Sequence, residues 1–371
     1  MTMKFVIAPD SFKGSVSARE AAEAIRGGIL SADPEAEVIL SPIADGGEGT
    51  LDAMVPHDQQ IEASVRGPLG APVLAKYGIL EEKAVIEMAS AAGLTLVPEE
   101  ARSAMRTTTY GVGELIRHAL DRGCRSLMLT VGGSATNDGG CGMMCALGVR
   151  FLKKDGSEFI PTGGTLSEIA EIRKEGMDPR LSDCRILIAT DVKNPLLGQT
   201  GATRVYAPQK GADESELNAM EEGMAGYARI LETLSGISVA DVEGCGAGGG
   251  ISAPLLALCD ARIQSGIDTV LDVVAFDSAL TGADAVITGE GRIDVQSLYG
   301  KAISGVANRA RAREIPVYCF VGCVGDDRET LKKMGVAEIY DVASMAKSKE
   351  DSMKHAACYL KTMAAEWRRT L

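Results

Sequence analysis

The residues best suited to chemistry lie in short segments that pair glycines with carboxylates, amines or hydroxyls. In Val131-Gly132-Gly133-Ser134-Ala135-Thr136-Asn137-Asp138-Gly139-Gly140 an apolar run is followed by glycines and hydroxyls, and then by the helix-like Met143–Leu147. Backbone amides in such a loop can converge on phosphate at a helix N-terminus, with Ser134 and Thr136 as added donors. An isolated glycine loop would read as a tight turn with Asn137 or Asp138 as helix cap; the density of polar groups favours nucleotide binding by Gly132, Gly133, Ser134, Thr136 and Asn137. Asp10-Ser11-Phe12-Lys13-Gly14 puts a carboxylate and an amine just past a strand, where ligands of open α/β sheets sit. Lys13 suits neutralising a transferring phosphate. Asp45-Gly46-Gly47-Glu48-Gly49-Thr50 repeats the arrangement, with Asp45 and Glu48 able to hold Mg²⁺ through waters. Glu48 equally suits the positive end of the following helix.

In Asp191-Val192-Lys193-Asn194-Pro195 a carboxylate closes an apolar strand and proline fixes the loop carrying Asn194. Asp191 reads as a catalytic base or a metal ligand, able to orient a substrate hydroxyl. Lys210, in Ala207-Pro208-Gln209-Lys210-Gly211, is a point charge for phosphate or for a substrate carboxylate. In Gly289-Glu290-Gly291-Arg292-Ile293-Asp294, Arg292 can clamp a carboxylate bidentately, with a surface pair to Asp294 as the plainer alternative. Phosphoryl transfer needs a polyphosphate cradle, Mg²⁺ and a carboxylate at the attacking hydroxyl, and these segments hold all three kinds of group. The P-loop string and the protein-kinase strings are absent. Gly244-x-Gly246-x-x-Gly249 satisfies a dinucleotide string with Asp268 downstream, but the preceding Ser238–Glu243 makes a poor strand, so NAD is discounted.

The elements that must position these groups alternate. Lys4–Asp10 is a short apolar strand, and Ser17-Ala18-Arg19-Glu20 is a capping box opening an alanine-rich helix. The pattern recurs at Glu37–Leu40 and Ala285–Ile287, then as a helix over 301–311, a strand over 316–321, a helix after Asp326, a strand near Ile339 and a closing helix reaching Trp367. Alternating strands and helices imply a parallel sheet. From about Ile61 to Leu280 the pattern is less regular, with strands suggested at Ser126–Val131 and Arg185–Ala189. The expected organisation is a doubly wound α/β domain from residues 1–60 plus 281–371, with 61–280 as a larger inserted α/β domain; two consecutive domains are the alternative.

The 371 residues suffice for two cores, and a net charge of −13 disfavours nucleic acid and anionic membranes as partners. With neither an 18-residue apolar run nor a signal-like start, the chain reads as cytoplasmic. Nine scattered cysteines read as buried free thiols, and three separated histidines offer no zinc cluster, so any metal should be oxygen-bound.

Taken together, the strings PDSFKGSVSA, ADGGEGT, GGSATNDGG, DVKNPLLG with APQKGA, GAGGG and TGEGRIDVQS resemble the bacterial glycerate kinase family, in order and spacing, over essentially the whole chain. The resemblance implies a flavodoxin-like domain made from both termini, a larger inserted domain and an active site between them. It implies ATP with Mg²⁺ as donor, D-glycerate as acceptor and 2-phosphoglycerate as product, with 3-phosphoglycerate as the alternative, and it is compatible with a homo-oligomer. From the residues' own chemistry, Asp191, Lys13 and Asp45 are the expected catalytic groups and Gly132, Gly133, Ser134, Thr136, Asn137, Gly289 and Glu290 the expected nucleotide contacts. Asp10, Ser11, Asn194, Lys210 and Arg292 are expected to hold the substrate, and Glu48 and Asp294 the metal. The chain departs from the family's usual Cys-Asp-Val-Thr-Asn at Thr190 and Lys193, from its usual glycine at Ala207, and from its more alanine-rich form of Gly246–Gly250. A non-catalytic phosphometabolite-binding regulator and a flavin or nicotinamide oxidoreductase are the competing classes.

Overall fold

A computed structural model describes residues 2–12, 14–44, 49–80, 82–293, 302–325, 328–333 and 335–371. The chain divides into two compact units: one is Met1–Asp45, Asp52–Pro56 and Ile267–Leu371, the other Gly46–Leu51 and His57–Gly266.

The first unit is built on five strands, in the spatial order Glu37–Leu40, Lys4–Pro9, Ala285–Gly289, Val317–Val321 and Glu338–Asp341. All four pairings are parallel, with Phe5 opposite both Val38 and Ala285. Parallel strands need covered faces, which is why Phe5-Val6-Ile7-Ala8 is buried throughout instead of alternating. The helix Ala18–Ala32 starts at the capping box, in which Ser17 and Glu20 satisfy each other's backbone N–H groups. It packs on the closing helix Ala356–Thr370 at Gly28, where an added Cβ would lie 2.2 Å from the Lys361 carbonyl oxygen. Trp367 then fills the space above the sheet, edge-on to Phe5, Tyr318 and Phe320 at 4.9 to 5.8 Å.

The second unit carries a six-stranded mixed sheet, in the order Arg262–Gln264, Arg185–Ala189, Ser126–Thr130, Lys83–Glu87, Pro72–Leu80 and Gln60–Arg66. The first four strands are parallel; the last two add antiparallel. This regular sheet replaces the irregular middle expected from sequence. Its outer strands escape pattern reading because only one face is covered: in Pro72–Leu80, Ala75 and Tyr77 are buried while Leu74 is 65% exposed. Helices Tyr110–Asp121, Cys141–Ala146, Glu214–Ser235 and Ser252–Cys259 surround it, around a core that includes Tyr77, Ile86, Leu129, Phe151 and Tyr227. All nine cysteines are free and five are buried; Cys358 is exposed. Among the described residues no helix is long and apolar enough to cross a membrane.

Candidate functional site

In the first unit the parallel strands end on one edge, and the chain beyond Pro9, Gly289, Val321 and Asp341 encloses a cavity of about 800 Å³. Asp10, Ser11, Glu290 and Arg292, placed in the site from sequence, all line it. Asp10 is held by its backbone N–H donating to the Gly289 carbonyl at 2.8 Å, and its Oδ1 accepts the Ser11 N–H at 2.6 Å. Arg292 sits on a short parallel pairing, Arg292–Ile293 with Cys323–Val324, and its guanidinium lies so close over Gly325 that a Cβ there would be 2.9 Å from Nη2. Gly289 does not line the cavity. It is buried in the sheet, where a Cβ would lie 1.7 Å from the Phe320 carbonyl oxygen, so its glycine serves strand contact. Lys13, Asp45, Glu48 and Asp294 lie outside the described residues.

In the second unit, the loop between Ser126–Thr130 and Cys141–Ala146 has two halves with different duties. Asp138 is fully buried and accepts from Thr109 N and Oγ1 at 2.8 and 2.9 Å, and from the N–H groups of Gly140 and Gly142 at 3.0 and 3.2 Å. Burial pushes its carboxyl up, and these donors act the other way. The Met143 N–H is taken by Thr109 Oγ1. The helix N-terminus expected to receive phosphate is therefore already occupied by the protein's own carboxylate. The other half is different: Gly132 and Gly133 are exposed, and the amides of Gly132, Gly133 and Ser134 donate to no protein acceptor among the described residues. Gly133 has φ +69°, a left-handed backbone that turns consecutive amides inward as in anion-binding nests. Thr136 and Asn137 are fully buried, and Asn137 Nδ2 donates to Thr203 Oγ1 at 3.1 Å, so both support the loop from behind.

Lys210 also turns inward. It is 2% exposed, and its Nζ donates to Ser134 Oγ at 2.8 Å and to the Thr136 carbonyl at 2.7 Å. Burial lowers its amine to about 7, while Asp138 acts in the opposite sense. Two acceptors suit the two N–H groups of a neutral amine. Because Ser134 Oγ accepts from Lys210, its own proton is available to donate outward. The pH consequence follows from the depressed pKa. Between pH ~7 and ~10 the unfolded chain holds a proton that the folded chain has released, so raising pH through this window stabilises the fold. Wild type should gain about 2–3 kcal/mol over Lys210→Met between pH 6 and pH 9, read from denaturant midpoints. A pH-independent difference would mean that the amine stays charged.

Asn194 spends its side chain inside the loop, with Nδ2 donating to the Thr200 carbonyl and Oδ1 accepting from the Tyr206 hydroxyl, both at 2.7 Å. Asp191 is exposed, and its Oδ1 accepts the N–H of Gly266, the first residue of the helix Gly266–Val273, at 2.9 Å. The Gly244–Gly250 string follows no strand. Gly246 would drive a Cβ to 2.2 Å from the Pro195 carbonyl oxygen and Gly249 to 2.0 Å from that of Thr136, so it is a packing element between two loops. Asp268 pairs with Arg309 at 3.3 Å. Two buried groups went unnoticed in the sequence. Thr109 organises Asp138, and Glu87 accepts the Leu51 N–H at 2.7 Å from the end of its strand. A carboxylate directly after the apolar Ala84-Val85-Ile86 was the available signal for Glu87.

The model of the glycerate kinase family matches residues 5–371. The chain belongs to the glycerate kinase family. A glycerate kinase of Bacillus subtilis (strain 168) is 45% identical over 98% of this chain and 96% of its own. The glycerate 2-kinase of Escherichia coli (strain K12) is 42% identical over 95% and 94%. A crystal structure from Salmonella typhimurium LT2, described as a candidate glycerate kinase 2, superposes with a TM-score of 0.89 at 41% identity, covering 100% of this chain and 98% of that one. Membership of the glycerate kinase family places the chain among the phosphotransferases. The departures from the family strings are mild in structure: Thr190 Oγ1 accepts the Val192 N–H at 3.2 Å, Lys193 is exposed, and Ala207 is buried. None removes Asp191, Asn194 or Lys210.

Proposed function

We propose that the chain transfers the γ-phosphoryl group of ATP to the carbon-2 hydroxyl of D-glycerate, giving 2-phosphoglycerate. The observation that carries the reaction type is the braced loop, with unoccupied amides at Gly132, Gly133 and Ser134 and an outward-donating Ser134 hydroxyl held by buried Lys210. Donors fixed before the ligand arrives suit a phosphoryl group whose charge spreads over its equatorial oxygens. The substrate hydroxyl oxygen forms the new bond to γ-phosphorus, the bond to the departing ADP oxygen breaks, and Asp191 takes the hydroxyl proton. The preference for carbon 2 draws on the relative in Escherichia coli, whose name specifies a 2-kinase. In chain order the first unit's strands run 2-1-3-4-5, which supports a flavodoxin-like, doubly wound reading, with the second unit, Gly46–Leu51 and His57–Gly266, as the insertion.

Mg²⁺ bound with the nucleotide would spread the phosphate charge. It favours one or two carboxylates together with phosphate oxygens and retained waters. Asp10 and Glu290 have that oxygen chemistry and line one cavity, so the donor set fits and these two would hold the ion.

Incubation with ATP and D-glycerate, followed by ³¹P NMR of the product, is expected to show 2-phosphoglycerate. A 3-phosphoglycerate signal would overturn the regiochemistry. ADP formation indifferent to glycerate would favour the regulator reading.

A further inference from the structure

The first unit's cavity is far too large for glycerate. At about 800 Å³ it lies within the ~300–1,000 Å³ typical of sites for cofactor-sized ligands, whereas a three-carbon acid would fill a small fraction of it. Its position has its own logic. Lys4–Pro9 and Ala285–Gly289 are neighbours in the sheet, yet the strand after the first lies on one side of the pair and the strand after the second on the other. The loops therefore leave in opposite directions at this point, opening the crevice where open α/β sheets take ligands.

The walls have two characters. Ala346 and Met353, backed by the buried Val342 and Ala356, form an apolar face suited to a flat base. Lys347 and Lys349 line the same cavity; both are exposed, and among the described residues neither forms a salt bridge. Their segment is held in place. The Lys347 N–H donates to Asp351 Oδ2 at 3.0 Å, Ser348 Oγ accepts the Asp351 N–H at 3.1 Å, and the Tyr359 hydroxyl donates to Asp351 Oδ2 at 2.7 Å. Exposed cations on a fixed backbone, outside any close ion pair among the described residues, beside an apolar face and two carboxylates match a magnesium-bound nucleoside diphosphate moiety.

We infer that this cavity is the adenine-nucleotide site, with the base against Ala346 and Met353 and the α- and β-phosphates facing Lys347, Lys349 and Arg292. The inference rests on ATP being the phosphoryl donor. It assigns Arg292 to phosphate, so glycerate's carboxylate must be held elsewhere.

The test is calorimetric titration of ADP, with Mg²⁺ and without glycerate, into the full-length wild type, Ala346→Trp and the double variant Lys347→Glu/Lys349→Glu. Both variants are expected to bind ADP at least ~10-fold more weakly, the first by filling the base position and the second by like-charge repulsion. The substituted lysines are exposed, so the double variant should melt at the wild-type temperature and will report even if the tryptophan variant fails to fold. ADP affinity within about twofold of wild type in a folded double variant overturns the inference, because every phosphate contact proposed for those lysines would then be absent. The two readings fail separately. ADP binding that depends on these residues, without glycerate phosphorylation, sinks the proposed reaction and keeps the site. Glycerate turnover with lysine-independent ADP binding does the reverse.

Discussion

Replacing Asp191 with asparagine is expected to lower kcat for glycerate phosphorylation by at least ~100-fold, about 2.7 kcal/mol of transition-state stabilisation, while ADP binding stays near wild type. The substitution is informative because asparagine can keep the carboxylate's bond to the start of a helix. Asp191 Oδ1 accepts the Gly266 N–H at 2.9 Å where the helix Gly266–Val273 begins, and an amide oxygen can accept the same bond. Asparagine ranks with aspartate as an N-terminal acceptor. The lost charge–dipole attraction at an exposed helix end is only ~0.3–1 kcal/mol. If holding that helix were the residue's whole contribution, Asp191→Asn would be almost silent in steady-state kinetics. A hundredfold fall in kcat with an unchanged melting temperature therefore identifies proton acceptance. Wild-type kcat would remove Asp191 from the chemistry.

What could be read from the chain before its structure follows from how local each feature is. Strands such as Phe5-Val6-Ile7-Ala8 and Val286-Ile287 are buried on both faces, so a short apolar run announces them. Gln60–Arg66 and Pro72–Leu80 form the one-sided end of the second sheet, and Glu62 and Lys76, paired at 3.6 Å, interrupt the apolar pattern. At the site, residues just past strand ends were legible because chain direction alone puts Asp10 and Glu290 on one edge. The destination of Lys210 was not. A lysine beside a glycine reads as a solvated loop charge, and nothing nearby in sequence indicates that its partners, Ser134 and Thr136, lie 76 and 74 positions away. Lys347 and Lys349 were missed for the converse reason: they are ordinary surface lysines until the fold places them around a cavity.

Gly249→Ala carries the largest expected stability loss, and it decides whether the glycine-rich string exists for packing or for a nucleotide. Gly249 has φ +72°, and an added Cβ would lie 2.0 Å from the Thr136 carbonyl oxygen and 2.8 Å from Asn137 Cα, which are backbone atoms that cannot swing aside. The left-handed conformation and the forced displacement each cost about 1–3 kcal/mol, so a loss of at least ~2 kcal/mol is expected in chemical denaturation. Thr136 also receives the Lys210 amine through the same carbonyl oxygen, and Gly139 donates to the Gly249 carbonyl at 3.0 Å, so the displacement should reach the braced loop and lower kcat as well. Gly226 supplies the internal control. It lies within the helix Glu214–Ser235 with nothing within 4 Å of an added Cβ, and its change to alanine should stabilise by up to ~1 kcal/mol. A Gly249→Ala protein that melts like wild type but binds ADP poorly would return the string to the nucleotide. A destabilised protein whose ADP affinity survives would assign it to the packing of the two loops.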